Sequence, residues 1–381
     1  MRVIILAFVT TVLAFSTTSA LQASRPGLRV ARNGVVMHEG KPFRGIGVNY
    51  FSAFYRTLLK ADDHSYDAGF AALQTNGIPF CRMMGGGFWP TEQKLYMDNK
   101  GEFFRRFDGV VRSAEKHHIG LIPSLFWNLS TVPDLVGEPV NSWGDPNSKT
   151  GAYMRQYVRD VVTRYRSSPA IWGWEFGNEF NLAASLPNAS QNRPSVAPQL
   201  GTPTSRSERD ELTYENIRAA FGAFAVEVRK YDPYRIISTG DSVLRESAWH
   251  NWKEKSWTAD TPVQMAQMLQ ADNPAPVDVT SVHVYGDSYT SIGRLMQLSR
   301  QWKKPLFVGE FGSPGVSDAK RTEFGAILKA IEDSQVPLAI LWVYDFSSQD
   351  ADWNVTATNA RAYQLQAIAD ANRRIRASMK N

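Results

Sequence analysis

The sequence predicts an α/β protein of the (β/α)8 class, a TIM barrel with long loops after its strands. Eight short apolar runs of the kind that form buried strands alternate strictly with eight stretches of helical spacing. Such alternation is typical of parallel βα units, and eight units close into a barrel. An open doubly wound sheet has the same alternation but usually carries a glycine-rich phosphate loop after its first strand. Here the first strand leads into Asn49-Tyr50-Phe51 instead, which favours the barrel.

Composition excludes several other classes of protein. The chain has 381 residues, of which 43% are hydrophobic and 21% charged, so a disordered, collagen-like or multi-span membrane protein is excluded. The net charge of +5 is spread along the chain, and no nucleic-acid partner is expected. Because α/β barrels run to about 250 residues or more as one domain, residues 21–381 are predicted to form a single barrel domain. A monomer is expected.

The start of the chain resembles an export signal. A basic Met1-Arg2 precedes an apolar run over Val3–Phe15, and the small residues Thr18 and Ala20 occupy the cleavage positions. This run is too short for a membrane span, which needs roughly 20 residues. We therefore predict a signal peptide over residues 1–20, a secreted or periplasmic protein and no membrane association after cleavage. Cys81 is the only cysteine, so an intrachain disulfide is impossible.

The elements are predicted in the following order. A small hairpin comes first, with Leu28–Met37 and Lys41–Phe43 around the turn signals Asn33-Gly34 and Glu39-Gly40. The eight strand candidates are Phe43–Tyr50, Ile78–Met84, Gly120–Phe126, Ala170–Phe176, Arg235–Thr239, Val277–Val284, Pro305–Val308 and Pro337–Val343. The eight helix candidates are Tyr66–Thr75, Glu102–Lys116, Ala152–Arg166, Tyr214–Lys230, Pro262–Leu269, Ser291–Trp302, Asp318–Ser334 and Thr358–Ser378.

The segments after the second to fifth strands are rich in tryptophan. In a barrel these loops share the C-terminal face, where active sites are built. An indole ring is flat and apolar with one polar edge, which suits the C–H faces of a sugar. These loops therefore predict a cleft for a glycan chain. The tryptophans concerned are Trp89, Trp127, Trp143, Trp249, Trp252 and Trp257.

Two glutamates end strands on opposite sides of the predicted barrel. The segment Trp172–Glu179 ends the fourth strand in Asn178-Glu179, and Leu306–Gly312 ends the seventh strand with Glu310 between glycines. The ends of these strands face each other across the barrel mouth, so the two carboxyl groups can converge on one bond. Two opposed carboxyl groups are what glycosidic hydrolysis requires.

The order of these motifs resembles glycoside hydrolase family 5, the cellulase-like family of barrel glycosidases. The resemblance runs from Phe43 to Phe346. Its features occur in order on the expected strands: Arg82, Asn178-Glu179, His283-Val284-Tyr285, Glu310 and Leu341-Trp342. Two departures leave the sugar open: Phe126-Trp127-Asn128 stands where the family often has a histidine, and Phe180 where a proline is common.

The resemblance implies a role for each matching residue. Glu310 would be the nucleophile, kept ionised by Arg82 and the Tyr285 hydroxyl, and Glu179 the acid/base. Because Glu179 faces the negative charge of Glu310, its pKa is expected to be raised. Asn178 would bind the sugar 2-hydroxyl, His283 would line the reacting subsite and Trp342 would form its floor. Trp89 and Trp127 are expected to contact the substrate further along the cleft.

Three other features could suggest different roles or chemistry, but the sequence argues against each of these alternatives. Glu175 lies on the same side of the fourth strand as Glu179 but deeper, which favours a buried, hydrogen-bonded structural role. Gly240-Asp241-Ser242 resembles the nucleophile motif of a lipase-like esterase class, but that class needs a histidine near the C-terminus and the last one here is His283. Adjacent His117-His118 point to different sides and lack a third ligand, so no metal site is predicted.

These observations together predict a retaining glycoside hydrolase acting on a β-linked polysaccharide or oligosaccharide, without metal or organic cofactor. An endo-β-1,4-glucanase or endo-β-1,4-mannanase is the leading interpretation. An exo-acting β-glycosidase and a catalytically silent carbohydrate-binding barrel are the alternatives. For a retaining mechanism the carboxyl groups of Glu179 and Glu310 should lie about 5 to 5.5 Å apart.

Overall fold

The structure is a computed structural model that describes residues 25–379, so the signal peptide predicted over residues 1–20 lies outside the described part. Two sheets occur in this part of the chain. The first is antiparallel and consists of β1 (Leu28–Val30), β2 (Val36–His38) and β3 (Lys41–Pro42). The second consists of eight parallel strands: β4 (Gly45–Asn49), β5 (Phe80–Met84), β6 (Gly120–Phe126), β7 (Gly173–Gly177), β8 (Ile236–Ser238), β9 (Thr280–Tyr285), β10 (Leu306–Gly312) and β11 (Leu338–Leu341).

The parallel strands form a barrel. Their order is β8-β7-β6-β5-β4-β11-β10-β9, so the last strand pairs with the first and each strand lies beside its neighbour in sequence. Individual hydrogen bonds join the two remaining edges: the Asp278 amide donates to the Ile237 carbonyl at 3.0 Å, and the Val243 amide to the His283 carbonyl at 3.3 Å. The predicted barrel is confirmed, and each predicted strand overlaps an observed one.

The antiparallel sheet covers the N-terminal end of the barrel. Its strands β2 and β3 form the predicted hairpin, but the predicted first arm, Leu28–Met37, is divided into β1 and β2 by a turn. The Leu28 amide donates to the Trp172 carbonyl at 2.8 Å, ahead of β7. Leu28 and Val36 are buried against apolar side chains near the starts of the barrel strands, among them Phe80 and Phe307. This end is therefore a closed apolar core, and the opposite end is left for a site.

Twelve α-helices lie within the described residues, and eight of them match the predicted ones. The helices are α1 (Ser52–Leu59), α2 (Tyr66–Thr75), α3 (Pro90–Asp98), α4 (Lys100–Lys116), α5 (Thr131–Val136), α6 (Lys149–Tyr165), α7 (Tyr214–Tyr231), α8 (Ala248–Glu254), α9 (Pro262–Ala271), α10 (Ile292–Trp302), α11 (Asp318–Asp333) and α12 (Ala362–Ser378). The four additional helices, α1, α3, α5 and α8, are short segments of the loops that follow strands.

Local chemistry explains one of these additional helices. Pro90 is the first residue of α3, and the Glu92 carboxylate accepts hydrogen bonds from the amides of Phe88 and Trp89, both at 2.9 Å. Proline at the first position and a carboxylate at the helix start both favour helix initiation. As a result, α3 fixes Phe88 and Trp89 at the barrel mouth.

The main core lies between the barrel and its outer helices. On α4, Phe103, Phe107, Val110 and Ala114 are buried at helical spacing and face the sheet. The single cysteine, Cys81, is buried in the same core. Between residues 25 and 379, no helix has the length and apolar character that a membrane crossing requires.

Candidate active site

The site residues predicted from the sequence come together at the C-terminal end of the barrel. Arg82 lies on β5, Glu179 two residues after β7, and Glu310 on β10. His283 and Tyr285 lie on β9, and Trp342 directly follows β11.

Gly309 and a strand irregularity position Glu310. The register between β10 and β9 shifts between Val308 and Glu310, at Gly309. A Cβ atom on Gly309 would lie 2.9 Å from Nε2 of His283, so a side chain there would displace the imidazole. The Glu310 side chain is only 6% exposed. Its Oε2 accepts a hydrogen bond from the Tyr285 hydroxyl at 2.6 Å.

Arg82 is the cation at the centre of the site. Its buried guanidinium donates from Nε to Glu175 Oε1 at 2.5 Å and from Nη1 to Glu310 Oε1 at 2.7 Å. Nη2 donates to the Asn178 amide oxygen at 2.9 Å. Burial alone would lower the pKa of Arg82, but the negative charges of Glu175 and Glu310 outweigh it and raise the pKa. Arg82 is thus a buried positive charge that contacts Glu175 and Glu310 together.

Trp127 and Asn49 complete the surroundings of Arg82. The guanidinium carbon lies 4.2 Å from the centre of the Trp127 ring, a cation–π contact. Asn49 is fully buried; its amide oxygen accepts from Arg82 at 3.1 Å and its nitrogen donates to the Gly309 carbonyl at 3.0 Å. The predicted set of site residues missed Asn49, although its position at the end of the first barrel strand is a signal for it.

Glu179 approaches Glu310 from the opposite strand. Its side chain is 28% exposed, and His283 Nδ1 lies 2.9 Å from Glu179 Oε1 and 3.6 Å from Glu310 Oε2. One carboxylate oxygen of each glutamate and a ring nitrogen of His283 all lie within 4.8 Å of one another. The two carboxyl groups therefore converge, as the strand positions predict.

The expected rise in the pKa of Glu179 is wrong for this structure. Burial is the largest single effect and raises this pKa, but the hydrogen bond and charge of His283, with the Ser242 hydrogen bond and the charge of Arg82, together outweigh it, so the net direction is downward. The expectation considered only the charge of Glu310. That charge is already balanced by Arg82 and the Tyr285 hydroxyl, whereas His283 lies directly against Glu179.

The predicted position of His283 in the reacting subsite also needs correction. Its side chain is fully buried and lies behind the two carboxylates instead of lining the cavity. Nδ1 contacts the glutamates, whereas Nε2 has no hydrogen-bond partner among residues 25–379. His283 is therefore placed to act on Glu179 and Glu310 and not on a sugar.

A cavity of about 1040 Å³ opens over the carboxylates. Seven of the residues that line it are Asn178, Glu179, Tyr285, Glu310, Trp89, Trp127 and Trp342. A second cavity of about 310 Å³ shares Asn178, Phe88, Trp89 and Trp127 with the first. The carboxylates line only the large cavity, and the second cavity adjoins it through these shared residues.

The loop tryptophans divide into two groups. Trp89, Trp127 and Trp342 line the large cavity as predicted, and Trp353, which the predicted set lacks, joins them. The rings of Trp127 and Trp342 are stacked at 6.0 Å. The other four tryptophans line neither cavity, which corrects their prediction as parts of the cleft: Trp143 is buried against Phe176, Trp249 and Trp252 pack against the core, and Trp257 is 53% exposed.

The alternatives weighed on the sequence find no support in these contacts. Glu175 is fully buried and accepts hydrogen bonds from Arg82 and Ser238, which confirms its structural role. Among the described residues, no histidine ring is hydrogen-bonded to the Ser242 hydroxyl, as an esterase would require. The two ring nitrogens of His117 lie 3.1 and 3.2 Å from side chains of α2.

Curated proteins similar to this chain include fungal enzymes. The chain is 29% identical over 178 residues to "Probable mannan endo-1,4-beta-mannosidase A" of Aspergillus flavus, a segment that covers 41% of this chain and 45% of that protein. It is 30% identical over 155 residues to "Mannan endo-1,4-beta-mannosidase A" of Hypocrea jecorina, 35% of each protein. The chain therefore spans less than half the length of these two relatives.

A solved structure and a family model extend the comparison. The crystal structure of the endo-1,4-beta-mannanase from Rhizomucor miehei superposes with a TM-score of 0.66 at 17% identity, covering 91% of this chain and 99% of that one. At this identity the likeness concerns the fold. Residues 38–348, well over half of the chain, match the model of the family described as Cellulase (glycosyl hydrolase family 5). The protein belongs to glycosyl hydrolase family 5.

Proposed function

We propose that this protein is a retaining endo-β-1,4-mannanase. The observation that carries the proposal is the pair of carboxylates at the base of the cleft, with one oxygen of each within 4.8 Å of the other. Retaining glycosidases hold their two carboxyl groups about 5 to 5.5 Å apart, whereas inverting enzymes leave about 6.5 to 9.5 Å for a water molecule. The 4.8 Å limit joins one oxygen of each group and not the group centres, and it favours the shorter of these two spacings, which supports a direct attack by one carboxylate.

In this proposal Glu310 is the nucleophile. Arg82 and the Tyr285 hydroxyl donate to its two oxygens and orient the carboxylate for attack. It attacks the anomeric carbon and forms a covalent glycosyl-enzyme, while Glu179 donates a proton to the departing oxygen. Glu179 then takes a proton from the water molecule that releases the sugar.

Asn178 is proposed to bind the 2-hydroxyl of the reacting sugar. Because its amide oxygen accepts a hydrogen bond from Arg82, its orientation is fixed with the NH2 group left to donate. Asn178 lines both cavities and therefore stands at the point where they meet. A hydrogen bond to the 2-hydroxyl strengthens in the transition state, so the contact favours reaction and not only binding.

Two observations favour mannan and internal cleavage. The curated relatives are named as mannan endo-1,4-beta-mannosidases. The two adjoining cavities share Asn178, Trp89 and Trp127, so together they provide space for more sugar units than the one that reacts. The proposed substrate is therefore a β-1,4-linked mannan chain, with glucan as the alternative left by the sequence.

The proposal is tested by incubating the protein with mannan, glucomannan, carboxymethylcellulose and xylan. We expect reducing ends to appear fastest from mannan, viscosity to fall early, and NMR spectra to show the β-anomer as the first product. Release of only short sugars without a fall in viscosity would support the exo-acting alternative. Glycan binding without any release would support the carbohydrate-binding alternative, and a first-formed α-anomer would exclude retention.

We also propose that the protein is exported, as the apolar run after Arg2 predicts, and that it acts as a monomer. Expression of the full chain should yield extracytoplasmic protein whose N-terminal sequence begins near residue 21. Static light scattering should give the mass of one chain. Retention of residues 1–20 in the exported protein, or a larger particle, would contradict these proposals.

Substrate length should matter through Trp89. This residue lines both cavities, so we expect Trp89→Ala to lower kcat/KM for mannohexaose about fivefold, because an aromatic contact is worth about 1 kcal/mol beyond its buried area. A short aryl mannoside should be nearly unaffected. Trp257→Ala is the control, since this exposed ring lines neither cavity. Equal losses on long and short substrates would contradict a role in remote binding.

The pH profile should respond to His283. In the free enzyme its hydrogen bond and positive charge favour the ionised form of Glu179 and lower the pKa of that carboxyl. His283→Phe keeps a ring but removes both effects, so the pKa of Glu179 should rise. Because Glu179 must be protonated to act as an acid, the alkaline limb of kcat/KM against pH should move to higher pH. An unmoved or more acidic limb would contradict this assignment.

A further inference from the structure

The backbone of Glu179 has an uncommon conformation. Its φ of 54° and ψ of 34° are left-handed, directly after Asn178 and two residues beyond the end of β7. A residue other than glycine is uncommon in this region and persists only where the surrounding structure holds it. The direction of the Glu179 side chain toward His283 therefore depends on contacts made by its neighbours.

The loop after β8 provides the first of these contacts. The Glu179 amide donates to the Gly240 carbonyl at 2.8 Å, and the Gly177 amide donates to the Thr239 carbonyl at 3.2 Å. Gly240 has a φ of +78°, and a Cβ atom there would lie 2.0 Å from the Gly177 carbonyl oxygen. A glycine at this position lets the two segments approach.

Asn181 provides contacts on the other side of Glu179. Its side-chain nitrogen donates to the Ser242 carbonyl at 2.8 Å, and its side-chain oxygen accepts from the Ser242 amide at 3.1 Å. The Asn181 amide donates to Asp241 Oδ1 at 3.2 Å. We call these three hydrogen bonds the Asn181 clamp. Asn181 and Asp241 are both 2% exposed, so water offers little replacement for the bonds.

We propose that Asn181 is a positioning residue for Glu179: the Asn181 clamp holds the acid/base carboxyl at the glycosidic oxygen. The inference rests on the proposed function, because it needs Glu179 to be the proton donor. Asn181 lines neither cavity, so it acts through Glu179 and not on the sugar.

Loss of the clamp should impair proton donation selectively. Donation requires the carboxyl oxygen within about 2.6 to 3.2 Å of the atom it protonates. A glutamate that leaves its left-handed conformation no longer meets this requirement. Attack by Glu310 on an activated glycoside needs no proton, so that reaction should continue. A general loss of stability would instead lower all activities together.

The test measures kcat/KM for a series of aryl β-mannobiosides whose phenols range from phenol to 2,4-dinitrophenol. This parameter reports the step in which the leaving group departs, independent of the later hydrolysis. For Asn181→Ala we expect a loss of about 10²-fold with the phenyl substrate, the cost of a roughly 1 Å misplacement, and a loss below about threefold with the dinitrophenyl substrate.

Asn372→Ala is the matched control. Asn372 is also 2% exposed and makes the same reciprocal pair of hydrogen bonds, both at 2.8 Å, with the backbone of Ile46 in β4. Asn372→Ala should lower the stability of the fold about as much as Asn181→Ala does. The dependence of kcat/KM on the phenol should remain that of the wild type. If Asn181→Ala does not fold by circular dichroism, Asn181→Asp takes its place, since it keeps the acceptor and loses the donor to Ser242.

Four results would overturn the inference. A loss that is equal across all phenols, or a dependence on the phenol that also appears in Asn372→Ala, would show that Asn181 is only structural. Wild-type activity with an unchanged series in Asn181→Ala would show that the clamp is dispensable. A wild-type protein that turns over no member of the series would refute the proposed function, and the inference would fall with it.

Discussion

Replacing Glu310 by Gln is expected to abolish turnover of every β-mannoside, by roughly 10⁵-fold or more, as loss of a nucleophile does in other hydrolases. The amide has nearly the same shape and can still contact Arg82 and Tyr285, so the fold should be kept. It lacks the negative charge that attacks the anomeric carbon. Activated aryl glycosides should not restore activity, because the missing step precedes or accompanies departure of any leaving group.

The identity of the nucleophile can be checked directly by mass spectrometry. A 2-deoxy-2-fluoro mannoside with a dinitrophenyl leaving group should add one sugar to the wild-type protein, on the peptide that contains Leu306–Gly312. Glu310→Gln should remain unlabelled. Glu175→Gln is the comparison, because this substitution also removes a carboxylate that contacts Arg82. Glu175 lies deeper in the barrel, so the Glu175→Gln protein should still be labelled. A label on another residue would contradict the assignment of Glu310.

The barrel and the candidate site residues at its strand ends could be predicted because both depend on short-range sequence patterns. Apolar runs mark the strands, and the polar residues that interrupt the ends of those runs, such as Arg82 and Glu310, must lie at the C-terminal face. The seventh strand was predicted over Pro305–Val308, and this prediction differs from the structure mainly at the C-terminal end of the strand. The observed strand continues to Gly312 through the irregularity at Gly309, which the pattern alone does not reveal.

The loops were harder to predict for a physical reason. A tryptophan after a strand can face the cleft or pack against a helix, and its neighbours in sequence do not decide which. Trp143 is buried against Phe176 and donates to the Leu129 carbonyl at 2.8 Å, whereas Trp353 reaches the cavity from a segment after the last strand. Both outcomes depend on contacts between distant parts of the chain.

The electrostatics of Glu179 show the same limit. From the sequence, the nearest charge to consider was Glu310, which would raise the pKa of Glu179. In the structure, Arg82 compensates Glu310 and His283 contacts Glu179 directly, so the direction is reversed. The sign of the shift depends on which side chain is closest, and only the folded arrangement of β9 and β10 determines that.

Replacing Glu179 by Ala is expected to separate substrates by their leaving groups. Positioned acid catalysis is worth about 10² to 10⁴-fold, and we expect kcat/KM for mannohexaose to fall by this amount. Dinitrophenyl mannobioside should lose little in kcat/KM, because its phenolate departs without a proton. Steady-state assays of both substrates, with Glu310→Gln as the reference for complete loss, provide the measurement.

The second half of the reaction gives the same variant a further signature. Without Glu179, no base activates the water that hydrolyses the glycosyl-enzyme, so with dinitrophenyl mannobioside the covalent intermediate should accumulate. Accumulation lowers kcat and KM together, and rapid mixing should show a burst of dinitrophenol equal to the enzyme concentration. A variant that loses both substrates equally and shows no burst would mean that Glu179 does not serve as acid and base. In that case the residue that protonates the leaving oxygen would have to be sought elsewhere on the cleft.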